Sequence, residues 1–285
     1  MKDRLLVVGN LAKDVVDDVE TYGGSAANLA LAAKRLGLSV GIMSVLGRDG
    51  FSNKYRRFLE EQEINLDLTP SVLKELPVCT IVSSENVIAS SRWEDNGCHP
   101  AMDEMSLDEN AINMFGLVHL VSCPPKLANR LSELNVDLSY EPGPMLVEDP
   151  TYFDDKVARE STFIFANKEE YEVIKNKINS LFGDNSLKKT LILVVTLGSE
   201  GVLLLQGREK PKHISIPPEL VVTEVIDSIG AGDNFKAGFL TGFMKGRSVD
   251  ESVQIGMEMG AECVKQKGGL LLESKVSKIK LKYNL

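Results

Sequence analysis

The chain has no Cys-x-x-Cys pair, no basic excess and no internal repeat, and each lack removes a class of function. Its four cysteines stand apart at 79, 98, 123 and 263. That spacing excludes a zinc ribbon and a thioredoxin-type site and fits reduced thiols in a cytoplasmic protein. Lys and Arg number 32 against 41 Asp and Glu, giving a net charge of -9 and a pI near 5.1. A nucleic-acid surface needs a basic stripe, so no nucleic acid is expected as partner. An anionic nucleotide would have to be met by backbone N–H groups, a few basic side chains and a metal ion. The opening run Met1-Lys-Asp-Arg-Leu-Leu-Val-Val-Gly9 is too short for a signal peptide or a membrane span, so no membrane is expected either. Histidine is scarce and scattered, at 99, 119 and 213. His119 lies inside a strand-like run and reads as structural rather than catalytic.

What is present is a globular chain. Its 285 residues, 43% of them hydrophobic, suit one large α/β domain over 1–285 with a small appendage. Leu5–Val8 reads as a buried first strand. Ser25 reads as the cap of a helix through Leu36, with Gly37 as its stop. Val40–Val45 follows as a strand, then a helix capped by Ser52 with Tyr55, Phe58 and Leu59 on its apolar face. Strand–helix alternation of this kind predicts a parallel sheet flanked by helices, a three-layer α/β/α sandwich.

The alternation breaks between about residues 66 and 98. Cys79–Ser84 and Val87–Ser91 read as a hairpin turning at Glu85-Asn86, and Val15–Tyr22 as another extended run. Together they predict a small β lid over about 12–24 and 74–98. Beyond it, Ser106-Leu-Asp-Glu109 has the form of a capping box. Leu117–Val121, Val136–Ser139 and Thr162–Phe165 read as strands, the second ending at the turn Glu141-Pro-Gly-Pro144. Lys168–Leu181 reads as a helix. Leu191–Thr196 reads as an apolar strand, turning through Gly198-Ser-Glu-Gly201 into Val202–Leu205. A last long helix is expected from about Val249 to Lys265.

The densest chemical signal is Asp227-Ser-Ile-Gly-Ala-Gly-Asp-Asn-Phe235. It follows the extended run Leu220–Ile226 and precedes the helical run Phe235–Phe243, so it is expected where a strand hands over to a helix. Gly230-Ala-Gly232 can aim unpaired N–H groups at one point, and a helix start adds partial positive charge there. Both suit a phosphate. Asp233 would repel that phosphate but can take a proton from a hydroxyl attacking it. Phe235, Phe239 and Phe243 at four-residue spacing read as core, and Gly238 and Gly242 permit close helix approach. Asn234 reads as an extension of the polar turn. Lys236 can reach the anion site or stay solvated; helix lysines are mostly exposed, which favours solvation. On spacing alone, Asn167-Lys-Glu-Glu170 is a helix cap and Thr196–Gly201 a hairpin turn.

Six segments stand in one order: Gly9–Asp14, Gly23-Gly-Ser-Ala-Ala-Asn28, Gly47-Arg-Asp-Gly50, Asn167–Glu170, Thr196–Gly201 and Asp227–Asp233. In that order the chain resembles the ribokinase family, the PfkB carbohydrate kinases, over nearly its whole length. Ser228-Ile229 departs from the family's usual Thr-Thr or Thr-Val, and Asn234 and Lys236 stand where small or apolar residues are usual. The resemblance implies ATP-dependent phosphorylation of a sugar hydroxyl. A nucleoside acceptor is the alternative, and a catalytically silent binding relative a more distant one. It makes Asp233 the base and Gly230, Ala231 and Gly232 the anion hole. Asp14, Gly23, Gly24 and Asn28 would bind the acceptor, with the glycine pair as lid hinge. Asn167, Thr196, Gly198 and Gly201 would line the nucleotide. Glu170 would tune Mg²⁺ of Mg-ATP through water, and Asp227 with Ile229 would hold K⁺, completed loosely by Lys267-Gly-Gly269. Arg92 and Trp93, at the lid's end, either touch substrate or pack the lid. A homodimer paired through the lid and a monomer with a blunted edge both stay open.

Overall fold

A computed structural model describes residues 3–84, 87–184, 191–207 and 209–285. Among these residues nine strands form the main sheet. Their order is Lys212–Ile214, Val202–Gln206, Ile192–Thr196, Ser161–Asn167, Leu138–Glu141, Leu117–Val121, Arg4–Gly9, Ser39–Met43 and Asn65–Leu68. The run from Ile192–Thr196 to Asn65–Leu68 is parallel, and the last two pairings at the other edge are antiparallel.

The period-two rule builds the layers. Leu5 and Val7 enter one core, with the helices Ser25–Arg35, Ala231–Met244 and Val249–Cys263. Leu6 and Val8 enter the other, with Pro125–Ser132 and Lys168–Gly183. A strand buried on both faces reads as a near-continuous apolar run, as Ile192–Val195 does. Each fully buried Leu, Val or Phe contributes roughly 1.5–3 kcal/mol. The expected sandwich is thus observed, and no described helix is long and apolar enough to cross a membrane.

The small sheet has the order Val19–Gly23, Ala12–Val16, Val78–Ser84, Val87–Glu94. The single run expected over Val15–Tyr22 is therefore two antiparallel strands. They turn at Asp17 and Asp18, both at positive φ (49° and 65°), as two-residue hairpin turns require. Tyr22 stacks on Tyr55 at 4.4 Å and on Phe58 at 5.0 Å, which fixes this hairpin to the helix Gly50–Glu61. The expected turn at Glu85-Asn86 lies outside the described residues.

Several caps move. Asp49, not Ser52, caps Gly50–Glu61, accepting from the N–H of Phe51 and Ser52 at 2.8 and 3.1 Å. Gly24 rather than Ser25 precedes the first helix, and Asp108 rather than Ser106 caps Glu109–Ile112. The largest revision concerns Leu220–Ile226, which joins no sheet. Pro217 and Pro218 start a tight turn there, the sheet edge is already taken by Lys212–Ile214, and the Ile226 N–H donates to the Val264 carbonyl at 2.8 Å. The phosphate-type motif is therefore fed by a loop, not a strand.

Candidate active site

The helix Ala231–Met244 opens at Gly230, whose φ of +72° disfavours any side chain. A Cβ there would also stand 2.5 Å from the Gly269 Cα. Asn234 explains that closeness. It is fully buried, and its amide donates to the Gly230 carbonyl at 2.9 Å and the Gly269 carbonyl at 2.7 Å. So Asn234 does not extend a polar turn; it ties the helix start to the 269 loop. The Ala231 N–H reaches the Ser228 carbonyl at 3.3 Å. Gly232 and Asp233 follow as second and third helical residues, whose N–H groups have no acceptor within a helix. A Cβ on Gly232 would meet nothing within 4 Å, so space lies beside it.

Asp233 is nearly buried. One carboxylate oxygen accepts from the Asn28 amide at 3.1 Å, and the other meets the Lys236 ammonium at 3.1 Å. The solvated lysine expected at 236 is therefore wrong. Lys236 is 5% exposed and also bonds Glu141, at the end of the strand Leu138–Glu141. Burial alone would lower its pKa, but Glu141 and Asp233 outweigh burial and raise it, so the ammonium persists. Burial raises Glu141, against the pull of Lys236, with Glu170 and Asp233 adding to the rise. Burial raises Glu170 as well, opposed by the Asn167 N–H and by Lys236. Glu141 and Asp233 thus both contact the ammonium, and Glu170 feels its charge.

Asp14 faces the same space from the small sheet. Burial, and then Asp233, push its carboxyl up to about 7. A Cβ on Gly23 would lie 2.0 Å from that carboxyl group, and Gly24 has a φ of +95° with the Asn10 carbonyl 2.6 Å from its would-be Cβ. Both glycines are thus required where the small sheet joins the first helix. Gly23→Ala would force the Asp14 carboxylate aside. The expected result is a folded protein whose KM for the acceptor rises at least about tenfold, read by steady-state kinetics beside a melting curve.

Asp14, Asn28, Gly230 and Asp233 line one part of a cavity of about 260 Å³. Trp93, His99, Tyr152 and Met145 line another, with ring centroids 6.3 Å apart for Trp93–His99 and 6.4 Å for His99–Tyr152. Of the pair at the lid's end, Trp93 reaches the site, while Arg92 is largely exposed beside Glu94. Glu141, Met145 and Tyr152 were not picked out from sequence as site residues. The available signal was position: Glu141-Pro-Gly-Pro144 follows the carboxyl end of a parallel strand, where ligands bind in open α/β sheets.

Asn167 and Thr196 end the next two strands and pair in register. Asn167 and Glu170 form the reciprocal cap, at 2.9 and 2.8 Å. Gly198, at φ +60°, has open space beside it. Gly201, at φ +100°, closes the hairpin, since a Cβ would sit 2.2 Å from the Ile214 carbonyl oxygen. None of these four lines the 260 Å³ cavity. Asp227 accepts from the N–H of Ile229 at 2.9 Å and of Gly268 at 2.8 Å, joining the two loops expected to share a cation. His119, buried beneath the cluster, bonds Ser139 at 3.0 Å and is held neutral by burial and then by Lys236, so it is structural as expected.

Among the described residues no group of three or more His, Cys, Asp or Glu could hold a metal by itself. Mg²⁺ readily takes few protein ligands and keeps its waters, so buried Glu170 fits an ion that arrives on nucleotide phosphates.

A nucleoside kinase of Methanocaldococcus jannaschii is 28% identical over 93% of this chain and 92% of its own length. An ATP-dependent 6-phosphofructokinase of Thermoanaerobacterium thermosaccharolyticum is 26% identical over 99% and 94%. The crystal structure of the Methanocaldococcus jannaschii nucleoside kinase, an archaeal member of the ribokinase family, shares the fold with a TM-score of 0.78 at 24% identity, covering 98% of each chain. Residues 3–275 match the pfkB family carbohydrate kinases, and the chain belongs to that family.

Proposed function

We propose that this chain, an ATP-dependent carbohydrate or nucleoside kinase, phosphorylates a hydroxymethyl group of a nucleoside, with Asp233 as base. The observation that carries the reading is one cavity with two characters. Asp14, Asn28 and Asp233 offer acceptors and a donor suited to sugar hydroxyls, while Trp93, His99 and Tyr152 offer ring faces suited to a base. The sequence placed a bare sugar first; a sugar alone leaves the aromatic wall without a role.

In this reading Asp233 takes the hydroxyl proton as the acceptor oxygen attacks the γ-phosphorus. The bond from that phosphorus to the bridging β–γ oxygen breaks, and ADP leaves with the electron pair. The N–H groups of Gly232 and Asp233 meet the charge that develops on the transferred group. Mg²⁺ bound with the nucleotide would neutralise β- and γ-phosphate charge, with Glu170 holding its water shell. Asn167, Thr196 and Gly198 would border the nucleotide, and Asp227 with Ile229, on the loop that Asp227 ties to Gly268, would hold K⁺.

The test is ADP release with adenosine, cytidine, inosine, ribose and fructose 6-phosphate, in K⁺ and in Na⁺ buffers. A nucleoside should exceed ribose in kcat/KM by at least about tenfold, because only it fills the aromatic part. K⁺ should raise kcat over Na⁺. Ribose or the hexose phosphate as best acceptor would overturn the nucleoside assignment. Thermal stabilisation by a nucleoside without turnover would point to a binding protein.

A further inference from the structure

The sequence favours a solvated Lys236 over one that reaches the anion site, and the kinase reading can be written without it. Yet its ammonium is enclosed at the point where the transfer would occur. Its side chain is 7% exposed, against 14% for Glu141 and 10% for Asp233. Lys236 lies one helical turn after Asp233, so both project on one face. Glu141 comes from a different layer, the end of a central strand, and grips the ammonium from below.

We propose that Lys236 is a positioning residue for phosphoryl transfer: anchored by Glu141, it fixes one oxygen of Asp233 so that the other side of the carboxylate is presented to the acceptor hydroxyl. The inference rests on Asp233 being the base. An aspartate side chain has two rotatable bonds, and a carboxylate beside an anion site is driven away from arriving phosphates. Two contacts oppose that drift, Asn28 on one oxygen and Lys236 on the other, both at 3.1 Å. Asn28 faces the acceptor cavity and can be drawn away by a bound hydroxyl. Lys236 is held by Glu141 and remains. A misplacement near 1 Å costs about 100-fold in rate, so the loss of this contact should register mainly in kcat.

A purely structural ion pair makes a different forecast. If Lys236 only neutralised Glu141, removing both charges together would restore the enzyme, since buried pairs are often replaced by neutral residues without loss of stability. The experiment compares wild type, Lys236→Arg, Lys236→Met, Glu141→Gln and the Lys236→Met/Glu141→Gln double variant, using the acceptor and ATP on which the wild type turns over best. Melting temperatures are read alongside.

Lys236→Met should lose about 100-fold in kcat, with both KM values within about threefold of wild type. Lys236→Arg should recover most of that loss. The double variant should melt near wild type yet stay as slow as Lys236→Met. If Lys236→Met does not fold, the double variant alone decides, because it buries no unpaired charge from this pair. A double variant with wild-type kcat overturns the proposal, as does a Lys236→Met loss confined to KM for ATP, which would make Lys236 a phosphate-binding group. A wild type without turnover on any acceptor sinks the kinase reading itself, whereas wild-type turnover indifferent to Lys236→Met sinks only this inference.

Discussion

Asp233→Asn should fold and bind as wild type does while kcat falls about 100- to 10,000-fold, the range associated with loss of a general base. The substitution keeps the shape of the side chain and its contact with Asn28 while removing the group that takes the proton. Its effect should therefore fall on kcat, with KM for acceptor and ATP little changed, because the missing interaction belongs to the transition state. Stability should change by less than activity, although Lys236 then loses one of its two carboxylate partners. Steady-state ADP release and a thermal melt separate the two. A variant that turns over at the wild-type rate would falsify the assignment of Asp233.

Asp14→Asn should make the ligand-free protein more stable at pH 8 and the enzyme far worse. The carboxyl of Asp14 titrates near 7 in the folded chain, chiefly because burial disfavours its charge and next because Asp233 is close. The unfolded value is near 3.8. A carboxyl raised by folding supports the folded state only while protonated. That support is complete below about pH 4 and is lost as pH rises through about 7. A shift of roughly three units corresponds to at most about 4 kcal/mol of lost stability above pH 7. Asparagine never ionises, so its advantage in melting temperature over wild type should be near zero at pH 4, grow between pH 4 and 7, and level off above. Over the same range acceptor kcat/KM should fall at least about 100-fold, because the amide has one acceptor oxygen and no charge where the carboxylate offers two charged oxygens to paired hydroxyls. A constant difference in melting temperature across pH would show that Asp14 is not the strained group.

The two variants together describe a site kept at a cost in stability. Asp14, Asp233 and Glu170 are buried and Glu141 largely so, and Lys236 contacts two of the four, Asp233 and Glu141. Unpaired buried carboxylates are poor for folding and useful for binding hydroxyls and moving protons. The glycines are placed by the same logic. Gly23 leaves room for the Asp14 carboxyl group, and Gly230 lets the helix start approach Gly269.

Much of this was legible in the sequence. Apolar strands such as Leu5–Val8 and the strand–helix alternation gave the sandwich, because a strand covered on both faces is nearly all apolar and a parallel strand needs a crossover. The break in alternation after residue 66 marked the small sheet. The motif around Asp233 was legible because glycine at positive φ and a helix start are local properties. The misreadings came where local propensity met tertiary context. Leu220–Ile226 has the composition of a strand, but the sheet had no edge left for it. Ser52 is a good cap by type, yet Asp49 lay nearer the first free N–H groups.

Lys236 and Glu141 show the deeper limit. They are 95 residues apart in sequence, and nothing in the neighbourhood of either announces the other. A lysine on a helix is exposed by default, and only the end of a central strand placed beneath it makes this one buried. Trp93, His99 and Tyr152 are similar, since three rings from three segments become a wall only when the small sheet folds over the strand ends. Asn234 took its role from Gly269, 35 residues away.

The central claim is that the N–H groups opening the helix at Ala231 receive the migrating phosphoryl group while Asp233 faces the acceptor oxygen. A crystal structure with ADP, the best acceptor and aluminium fluoride tests it most directly. The expected result is the fluoride group within hydrogen-bond reach of the N–H of Gly232 and Asp233, with a carboxylate oxygen of Asp233 about 2.6–3.2 Å from the acceptor hydroxyl. Fluoride bound elsewhere, with the hydroxyl out of contact with Asp233, would contradict it.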